Sequence, residues 1–388
     1  MVQDSPGAVR SLAGTALSDA DRHAPRVLVS GLVLDEEHAG TTRHATEVLP
    51  RVAASLKADG GELVVLAGKA GLASSLSTAL AQVTCEAPSH PAWRRARAES
   101  AALRRALAEA SRGGRPFDLV HTAHLPTPRG LDVPFTWLVH DLRRADMGRA
   151  PMRWLASRAL RRAARGAAAI MTVSAASAAR LRDLTGADAA VVSNGHEHLQ
   201  ARPRKASSSP FLLGVGHIEA RKDWGTLVRA LAHEPDLPDL VIAGTPKPGE
   251  QARLASVIRE TGLEHRVRLV GSVPESQLME YYASCGAVVL PSIYEGFGLA
   301  ALEAITAGAP LACTDIASHR EVAGDCARYF APGDVRGCAQ AIRRTLCMKQ
   351  EAIDRGLVRA QMFSWDRAAK QVLDIWKACA SRPNASDS

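Results

Sequence analysis

The sequence predicts an α/β protein made of two Rossmann-like domains, each with its own parallel sheet. Three observations support this fold class. Short apolar runs alternate with helical patterns along the chain, which is typical of βαβ units. A polar segment without periodicity, QARPRKASSSP at 200–210, interrupts the alternation, which then starts again. A chain of 388 residues is also too long for one compact core.

The first half of the chain carries six strand candidates separated by helical patterns. These strands are predicted at 26–34, 62–68, 117–123, 135–141, 167–174 and 189–194. Apolar residues at helical spacing fill the gaps, as in AESAALRRALAEASRGG, where two glycines indicate the helix end. Residues 1–24 carry acids and lack a continuous apolar stretch, so we predict a disordered extension rather than a secretory signal. The first domain is predicted to span 25–200.

The second half repeats this pattern after a predicted linker at 201–210. Its strands are predicted at 210–216, 239–244, 267–273, 287–294 and 310–316. The second domain is predicted to span 211–363, and 364–388 contains an amphipathic helix that could pack on either domain. Ligands of such sheets bind beyond the carboxyl ends of the strands, so the cleft between the two domains is the predicted site.

The charge of the chain is unevenly distributed. The formal net charge is +8, but residues 90–182 hold 18 Arg, no Lys and 6 acids, which is a local charge of +12. A basic surface attracts phosphates, nucleic acid or anionic lipid. Nucleic acid is disfavoured because no recognition motif accompanies the arginines. Two interpretations remain: solvated arginine-rich helices, or a surface that contacts an anionic membrane or a phosphorylated substrate.

The cysteine pattern predicts a reducing compartment. Seven scattered cysteines without a CxxC pair favour reduced thiols in the cytoplasm over a disulfide framework or a zinc site. No window approaches the roughly 18 apolar residues of a membrane-spanning helix. We therefore expect a cytoplasmic protein, with peripheral contact at the inner face of the membrane through 90–182 as the further expectation.

The stretch PSIYEGFGLAALEAITAGAP, at 291–310, carries the strongest chemical signal. Glu295 follows an apolar strand, and Gly298 precedes a predicted helix that contains Glu303 and stops at Gly308. Glycines at a helix N-terminus let an anion approach free backbone N–H groups and the positive end of the helix dipole. Two carboxylates beside such a phosphate site fit a nucleotide sugar, one for each sugar ring. The alternative is a capping glutamate and a solvated helix glutamate.

Other strand ends offer further candidates. Arg221 and Lys222 follow the strand PFLLGVG and could neutralise a diphosphate, although such pairs are often plain surface charge. His140 ends the strand FTWLVHD and could bond a sugar hydroxyl. Gly40, which precedes a helix after the first strand, is a weak phosphate-binding candidate because GxGxxG and GxxxxGK[ST] are both missing.

Two metal-like patterns are interpreted as structural or accidental. Asp19 and Asp21 form a literal DxD, but it falls in the predicted extension and is treated as a coincidence. The HEH at 196–198 could chelate a metal in principle, yet a structural loop role is preferred. We expect neither a metal nor another cofactor.

From about residue 26 onward the chain resembles the retaining glycosyltransferases of family 4, which have the two-Rossmann GT-B fold. The segment PSIYEGFGLAALEAITAGAP is similar to the E-x7-E segment of that family. The other similar segments, all in the family's order, are FLLGVGHIEARKDWGTLVRAL, TVSAASAARL, VVSNGHEH, VRLVGSVPESQLMEYYASC and FSWDRAA. The resemblance is highly specific for the family and poorly specific for the substrate.

The resemblance implies roles for individual residues. Glu295 would contact the donor sugar near the reacting carbon, and Glu303 would hold the nucleotide ribose. Arg221 and Lys222 would bind the diphosphate, and His140 would lie beside the donor sugar. The remaining implied donor contacts are the backbone of Phe297, Gly298 and Leu299, Val273 near the base, and Gly40 near phosphate and acceptor. The last helix would cross back to the first domain.

Two departures from the family pattern affect these roles. His217 stands where many members have an arginine, so phosphate binding would depend more on Arg221 and Lys222. The first-domain loop reads AGTTR where a glycine pair is common, which leaves the contact of Gly40 with the diphosphate open.

The activity implied by the resemblance is metal-independent transfer of a hexose with retention of configuration. The donor would be a GDP or UDP sugar, with mannose favoured, and the acceptor a lipid-linked saccharide of an envelope polysaccharide, another saccharide or a small molecule. Two other classes are weighed against it. One is an inert GT-B subunit that binds sugars or acts as a scaffold, and the other is a Rossmann dehydrogenase, which the missing dinucleotide fingerprint disfavours.

Overall fold

The computed structural model describes residues 24–35, 40–88, 92–199, 204 and 210–381. Within these ranges the chain forms two α/β domains, each built on a parallel sheet, which confirms the predicted fold class. The DxD at 19–21 and nearly all of the predicted extension and linker lie outside the described residues. Ala24, assigned to the extension, belongs instead to the first domain, because it is 5% exposed and packs beside Gly61.

The first sheet has seven described strands in the order β3-β2-β1-β4-β5-β6-β7. Every paired neighbour is parallel; for example, Val29 of β1 pairs with Val65 of β2 and His121 of β4. The strands are β1 (Arg26–Ser30), β2 (Glu62–Ala67), β3 (Ala81–Thr84), β4 (Leu119–Thr122), β5 (Phe135–Val139), β6 (Ala169–Thr172) and β7 (Ala190–Val191).

The second sheet has six described strands in the order β10-β9-β8-β11-β12-β13, again all parallel. The strands are β8 (Leu212–Val215), β9 (Leu240–Ala243), β10 (Val267–Gly271), β11 (Ala287–Leu290), β12 (Leu311–Thr314) and β13 (Ala327–Phe330). The residues of β8, β9, β11 and β12 are buried throughout, as expected for a sheet covered on both faces.

Helices connect the strands and cover the sheets. Those of the first domain are α1 (Gly40–Ala58), α2 (Ser74–Ser77), α3 (Ala92–Arg112), α4 (Arg143–Asp146), α5 (Ala150–Gly166) and α6 (Ala175–Thr185). Those that follow are α7 (Trp224–His233), α8 (Glu250–Glu260), α9 (Glu275–Ser284), α10 (Leu299–Thr306), α11 (Ala317–Ala323), α12 (Val335–Leu346), α13 (Gln350–Ala360) and α14 (Trp365–Ala380).

Two strands were not predicted from the sequence. β3 reads AQVT and is exposed along its whole length, so it carries no apolar run. It pairs with β2 at the sheet edge, where backbone hydrogen bonds rather than burial stabilise it. β13 reads ARYF and pairs with β12 at the other sheet's edge. Short edge strands lack the periodicity on which the prediction depends.

The last helix, α14, lies on the first domain. Trp365 and Trp376 are fully buried, and α14 contacts α1, β4 and β5. Lys377 on α14 bonds Asp59 at 2.7 Å across 318 residues of sequence. The chain therefore returns from the second domain to pack on the first.

Each sheet reverses its strand order at its first strand. β1 lies between β2 and β4, and β8 lies between β9 and β11. At such a switch point the connecting loops diverge and leave a crevice beyond the carboxyl ends of the two strands. The loops after β8 and β11 therefore frame the crevice of the second domain, and they contain the Arg221-Lys222 pair and Glu295.

Candidate active site in the interdomain cleft

Glu295 forms ion pairs with both cations that follow β8. Its Oε2 atom lies 2.5 Å from Arg221 Nη1, and its Oε1 atom lies 2.6 Å from Lys222 Nζ. All three side chains are largely buried, with exposed fractions of 17% for Arg221, 9% for Lys222 and 10% for Glu295. The structure thus brings together three predicted residues from two loops that are 73 residues apart in sequence.

The cations keep Glu295 ionised in spite of its burial. Burial alone would raise the pKa of this carboxyl, but Lys222, Arg221 and His319 outweigh it and hold the pKa well below its usual range. Ser292 Oγ also donates to Oε1 at 2.7 Å. Glu295 is therefore a fixed negative charge at the end of the crevice.

Gly216 allows Lys222 to reach the crevice. It follows β8 with a φ of +135°, and a Cβ atom there would lie 2.9 Å from both Cε and Nζ of Lys222. Lys222 lies in the short 3-10 turn Ala220–Lys222, and the Lys222 backbone amide donates to Glu219 O at 3.0 Å. A side chain at position 216 would push the ammonium away from Glu295.

The helix that carries Glu303 begins at the predicted glycine turn. Gly298, with a φ of +95°, precedes α10, and the first amides of a helix have no acceptor within it. Phe297 is buried edge-to-face against Phe363 at 5.7 Å, so its ring anchors the turn while its backbone remains at the crevice. Leu299, half-buried, is the first residue of the helix.

Glu303 is held by side chains that the sequence analysis did not connect with it. Tyr282 Oη donates to Oε2 at 2.8 Å, and His198 Nε2 lies 3.4 Å from Oε1. Trp365 Nε1 donates to His198 Nδ1 at 3.0 Å, so the second ring nitrogen of a neutral His198 carries the proton and donates to Glu303. The carboxylate is thereby oriented by a chain of donors from α14.

The first domain contacts the turn after β11 directly. Ser174 Oγ and Ser177 Oγ both donate to Gly296 O, at 2.5 and 3.0 Å. A Cβ atom at Gly296 would lie 2.0 Å from His140 O, so only glycine permits this approach. His140, which follows β5, therefore lies against the Glu295 turn and is partly exposed. Its place beside a donor sugar stays a prediction.

An ionic link also crosses the cleft. Glu219 bonds Arg221 at 2.7 Å and Arg143 of the first domain at 3.2 Å. Tyr294, next to Glu295, accepts a 2.7 Å bond from the backbone amide of Leu142. Arg143 and Leu142 follow β5, so the loop after His140 is tied to the cations of the crevice.

The remaining predicted residues are placed less decisively. Gly40 is exposed at the first position of α1, and residues 36–39 before it lie outside the described ranges. Val273 is half-buried in the turn between β10 and α9. In the HEH at 196–198, Glu197 accepts from the backbone amide of Trp365 at 2.9 Å and His198 bonds Glu303, so both have structural partners. Their roles toward a donor stay predictions.

Sequence reasoning gave no role near the two glutamates to several residues that shape the site. These are Ser174, Ser177, His198, Glu219, Tyr282, Ser292 and His319. Ser292 lies only three residues before Glu295, so this short spacing could have indicated a contact between the two side chains. The others come from distant loops and helices, so only the folded chain brings them near the two glutamates.

Three histidines lie together beneath the first-domain side of the site: His44 and His121 are buried, and His140 is partly exposed. His44 contacts His140 edge-to-face at 5.2 Å and Trp365 at 5.7 Å, and its Nδ1 atom bonds Asn194 at 2.9 Å. Burial lowers the pKa of His44 from 6.5 to about 4 and that of His121 to about 3. The pKa of His140 is also lowered, by burial and by the nearby His44 and His121. These rings are neutral near pH 7.

Acidification is expected to destabilise the protein through these rings. Below pH 6.5 the unfolded chain binds protons that the folded His44 cannot accept, so the free energy of unfolding falls between pH 6.5 and 4. A pKa lowered by this amount corresponds to about 3 kcal/mol for His44. Urea titrations of His44→Gln should give a flatter pH profile than the native chain. His265→Gln, at an exposed position, should follow the native profile, and parallel curves for all three would contradict the prediction.

Family models match both domains of this chain. The model described as Glycosyltransferase Family 4 matches residues 40–198, and the model described as Glycosyl transferases group 1 matches residues 196–355. Together they cover the two sheets and the loops of the candidate site. The fold and the family models define a GT-B protein whose candidate site lies at the crevice of its second domain.

The curated relatives include named mannosyltransferases. The chain is 32% identical over 173 residues to O-antigen chain mannosyltransferase B of Escherichia coli, which covers 43% of this chain and 45% of that protein. It is 26% identical over 280 residues to MMP alpha-(1->4)-mannosyltransferase of Mycolicibacterium hassiacum, which covers 69% of this chain and 66% of that protein. The match thus spans less than two thirds of either relative.

Solved structures share the fold over nearly the whole chain. Sucrose-phosphate synthase from Thermosynechococcus elongatus superimposes with a TM-score of 0.75 at 20% identity, covering 91% of this chain and 98% of that one. HepE of Anabaena, solved with UDP-glucose, gives 0.71 at 16% identity and covers 91% and 100%.

The chain belongs to the family 4 type of GT-B glycosyltransferases. None of the helices in the described part of the chain has the length and apolar character needed to cross a bilayer. Among the same residues, no group of three or more histidine, cysteine or acidic side chains is arranged to hold a metal ion.

Proposed function

We propose that this protein is a retaining glycosyltransferase that moves a hexose, specifically mannose, from a nucleoside-diphosphate sugar to an acceptor. The acceptor is a saccharide, a glycolipid or a small molecule, and no metal takes part. One observation carries the proposal: Arg221, Lys222 and Glu295 meet at the carboxyl ends of β8 and β11, where the α10 N-terminus also opens. This is a site for a diphosphate next to a sugar.

The two cations and the helix start would stabilise the departing diphosphate. Bond cleavage at the anomeric carbon leaves negative charge on the phosphate oxygens, which needs preorganised positive partners. Arg221 supplies a planar fork whose buried Nε atom has no hydrogen-bond partner among the described residues, and Lys222 supplies a point charge. The amides at the start of α10 add further donors.

The carboxylate and the imidazole would act on the sugar side. Glu295 is a fixed negative charge that favours positive character at the anomeric carbon, and we assign it positioning and electrostatic roles rather than that of a nucleophile. Neutral His140 can accept or donate a hydrogen bond to a sugar hydroxyl. The acceptor hydroxyl would attack from the face that the diphosphate leaves, and a phosphate oxygen would take its proton.

The mannose assignment is based on the relatives. Both curated proteins described above are named as mannosyltransferases, while HepE was solved with UDP-glucose. The base and sugar contacts of this chain lie around Val273, Glu303 and the α10 turn. GDP-mannose is accordingly the first donor to test.

Binding and turnover assays test the proposal directly. Melting curves with GDP, UDP and ADP should identify one nucleoside diphosphate that raises Tm, and its sugar should then be hydrolysed or transferred. Turnover should be unchanged in excess EDTA, and the anomeric configuration measured by NMR should be retained. If nucleotide sugars bind but are never turned over with any acceptor, the protein is an inert GT-B subunit. If none binds, the proposal is wrong.

Peripheral contact with an anionic membrane through residues 90–182 is part of this proposal. Its motivation is the local charge of +12, since basic residues near anionic lipid each contribute about 1 kcal/mol. The chain should float with phosphatidylserine vesicles at low salt and be released at high salt, while neutral vesicles leave it in solution. Failure to float at low salt would exclude this contact.

A further inference from the structure

A large open cavity extends from His140 into the first domain. It has a volume of about 1570 Å³ and is lined by β5, the loop after it, the start of α3, most of α5, and Lys247 of the second domain. Because it contains both His140 and Asp141, it is continuous with the first-domain side of the candidate site. Whatever occupies it reaches the position from which an acceptor would meet the donor.

The cavity wall is strongly cationic. Nine arginine and lysine side chains line it, against two carboxylates, Asp35 and Asp141. Several of these arginines lack an opposite charge: within the described ranges, Arg129, Arg158 and Arg162 form no salt bridge. Partial burial and the charge of Arg129 lower the pKa of Arg162, so the two cations lie close enough to repel each other. Such an arrangement favours an anionic ligand.

The same wall exposes large apolar side chains. Trp93 is 60% exposed, Met152 54% and Trp154 64%, and all three line the cavity. On α5, Trp154 and Arg158 are four residues apart and share a helix face, with the guanidinium 6.0 Å from the ring centroid. Exposed tryptophans grouped in one cavity indicate an apolar ligand surface. An inorganic anion would use only the arginines, and a neutral saccharide would leave them without a counter-charge.

We infer that this cavity binds the acceptor through an aglycone that combines a phosphate with an apolar chain. The phosphate lies between Arg129 and Arg162, and the chain packs on Trp93 and Trp154. This deepens the proposed function, on which it rests, by assigning the acceptor to the anionic amphiphiles. The acceptor sugar then extends toward His140.

Octyl phosphate, 1-octanol and inorganic phosphate are the probes for calorimetric titration of the full chain. The native protein should bind octyl phosphate at least tenfold more tightly than either other probe. Arg129→Gln with Arg162→Gln should weaken octyl phosphate at least tenfold and leave 1-octanol unchanged. Trp154→Ala should weaken both. Arg259→Gln with Arg336→Gln, which removes two exposed arginines outside the cavity, and Met362→Ala, at another exposed apolar position, should behave as the native chain.

Three results would overturn the inference. Inorganic phosphate that binds as tightly as octyl phosphate means a plain anion site, and equal losses in the control variants mean unspecific charge or apolar attraction. Binding of phosphatidylserine vesicles without binding of octyl phosphate means a membrane-docking surface instead of a ligand cavity. Unaltered melting curves for the cavity variants exclude misfolding as the cause of a loss.

The proposed function can fail independently. If nucleotide-sugar hydrolysis proceeds while octyl phosphate does not bind, only the acceptor assignment is wrong. If octyl phosphate binds in the cavity while no nucleoside diphosphate binds, the glycosyltransferase proposal fails and the cavity stands as an amphiphile-binding site.

Discussion

Glu295→Gln is expected to lower kcat by about 10²–10³ while the affinity for the nucleoside diphosphate is kept or rises. The rate loss has the size seen when one preorganised electrostatic group is removed from an active site. The affinity is kept because Arg221 and Lys222, which now pair with Glu295 at 2.5 and 2.6 Å, lose an anion that competes with the diphosphate. Steady-state kinetics and calorimetry of the product diphosphate measure the two quantities separately.

Glu219→Gln is the matched control for this variant. Glu219 also contacts Arg221, at 2.7 Å, but it lies on the side of Arg143 and the first domain. Its loss should change kcat by less than about tenfold, since Glu295 remains in place. Native turnover in Glu295→Gln, or equal losses in both variants, would refute the electrostatic role assigned to Glu295.

Glu295→Gln should also be less stable than the native chain. Removing one partner of a buried ion pair costs about 3–5 kcal/mol, because the remaining charge stays buried and unpaired. Arg221 and Lys222 are both largely buried, so Glu295→Gln should unfold at lower temperature. Saturating nucleoside diphosphate should restore much of the loss, since phosphate oxygens replace the carboxylate.

Arg221→Met combined with Lys222→Met is expected to weaken nucleoside-diphosphate binding by more than about 100-fold. A hydrogen bond to a charged group contributes about 1.5–3 kcal/mol, so each cation accounts for at least a tenfold change. The affinity should also become less sensitive to salt. Calorimetry of the nucleoside diphosphate at two salt concentrations measures both the affinity and its dependence on salt. The same nucleoside without phosphates is titrated as a control ligand. The nucleoside should bind the variant as it binds the native chain.

Two further variants guard this result against loss of folding. Arg221→Lys keeps the charge but loses the planar fork, so its affinity should lie between the native and double-variant values. Lys370→Met removes an exposed cation on α14, and its affinity should be native. A double variant that binds the diphosphate with native affinity would place the phosphates away from the loops after β8 and β11.

Much of the fold could be predicted from local pattern. The buried strands of both sheets contain short apolar runs, and β11 and α10 were predicted with the turn between them and the stop at Gly308. The exposed β3 was not predicted because pairing with β2 stabilises it and its residues form no apolar pattern. The packing of α14 on α1 could not be read from the periodicity of α14, which shows that a face is buried but not against what.

The candidate site divides in the same way. Glu295, Glu303, Arg221 and Lys222 could be selected because residue type, glycines and strand ends coincide in short stretches. Tyr282 and His198 could not, because they reach Glu303 from 21 and 105 residues away. A side chain that matters only through a distant partner has no local signature.

By itself the sequence determined the two sheets, the strand ends that carry Arg221, Lys222 and Glu295, and the glycine turn before α10. Backbone conformation and burial depend on near neighbours, and that information is contained in the order of the residues. The tertiary structure alone decided that Glu295 lies between Arg221 and Lys222 and that His140 meets Gly296. It also decided that unpaired arginines and exposed tryptophans share one cavity. Coulombic and steric contacts depend on distance in space. These groups are far apart along the sequence and come close together only when the chain folds.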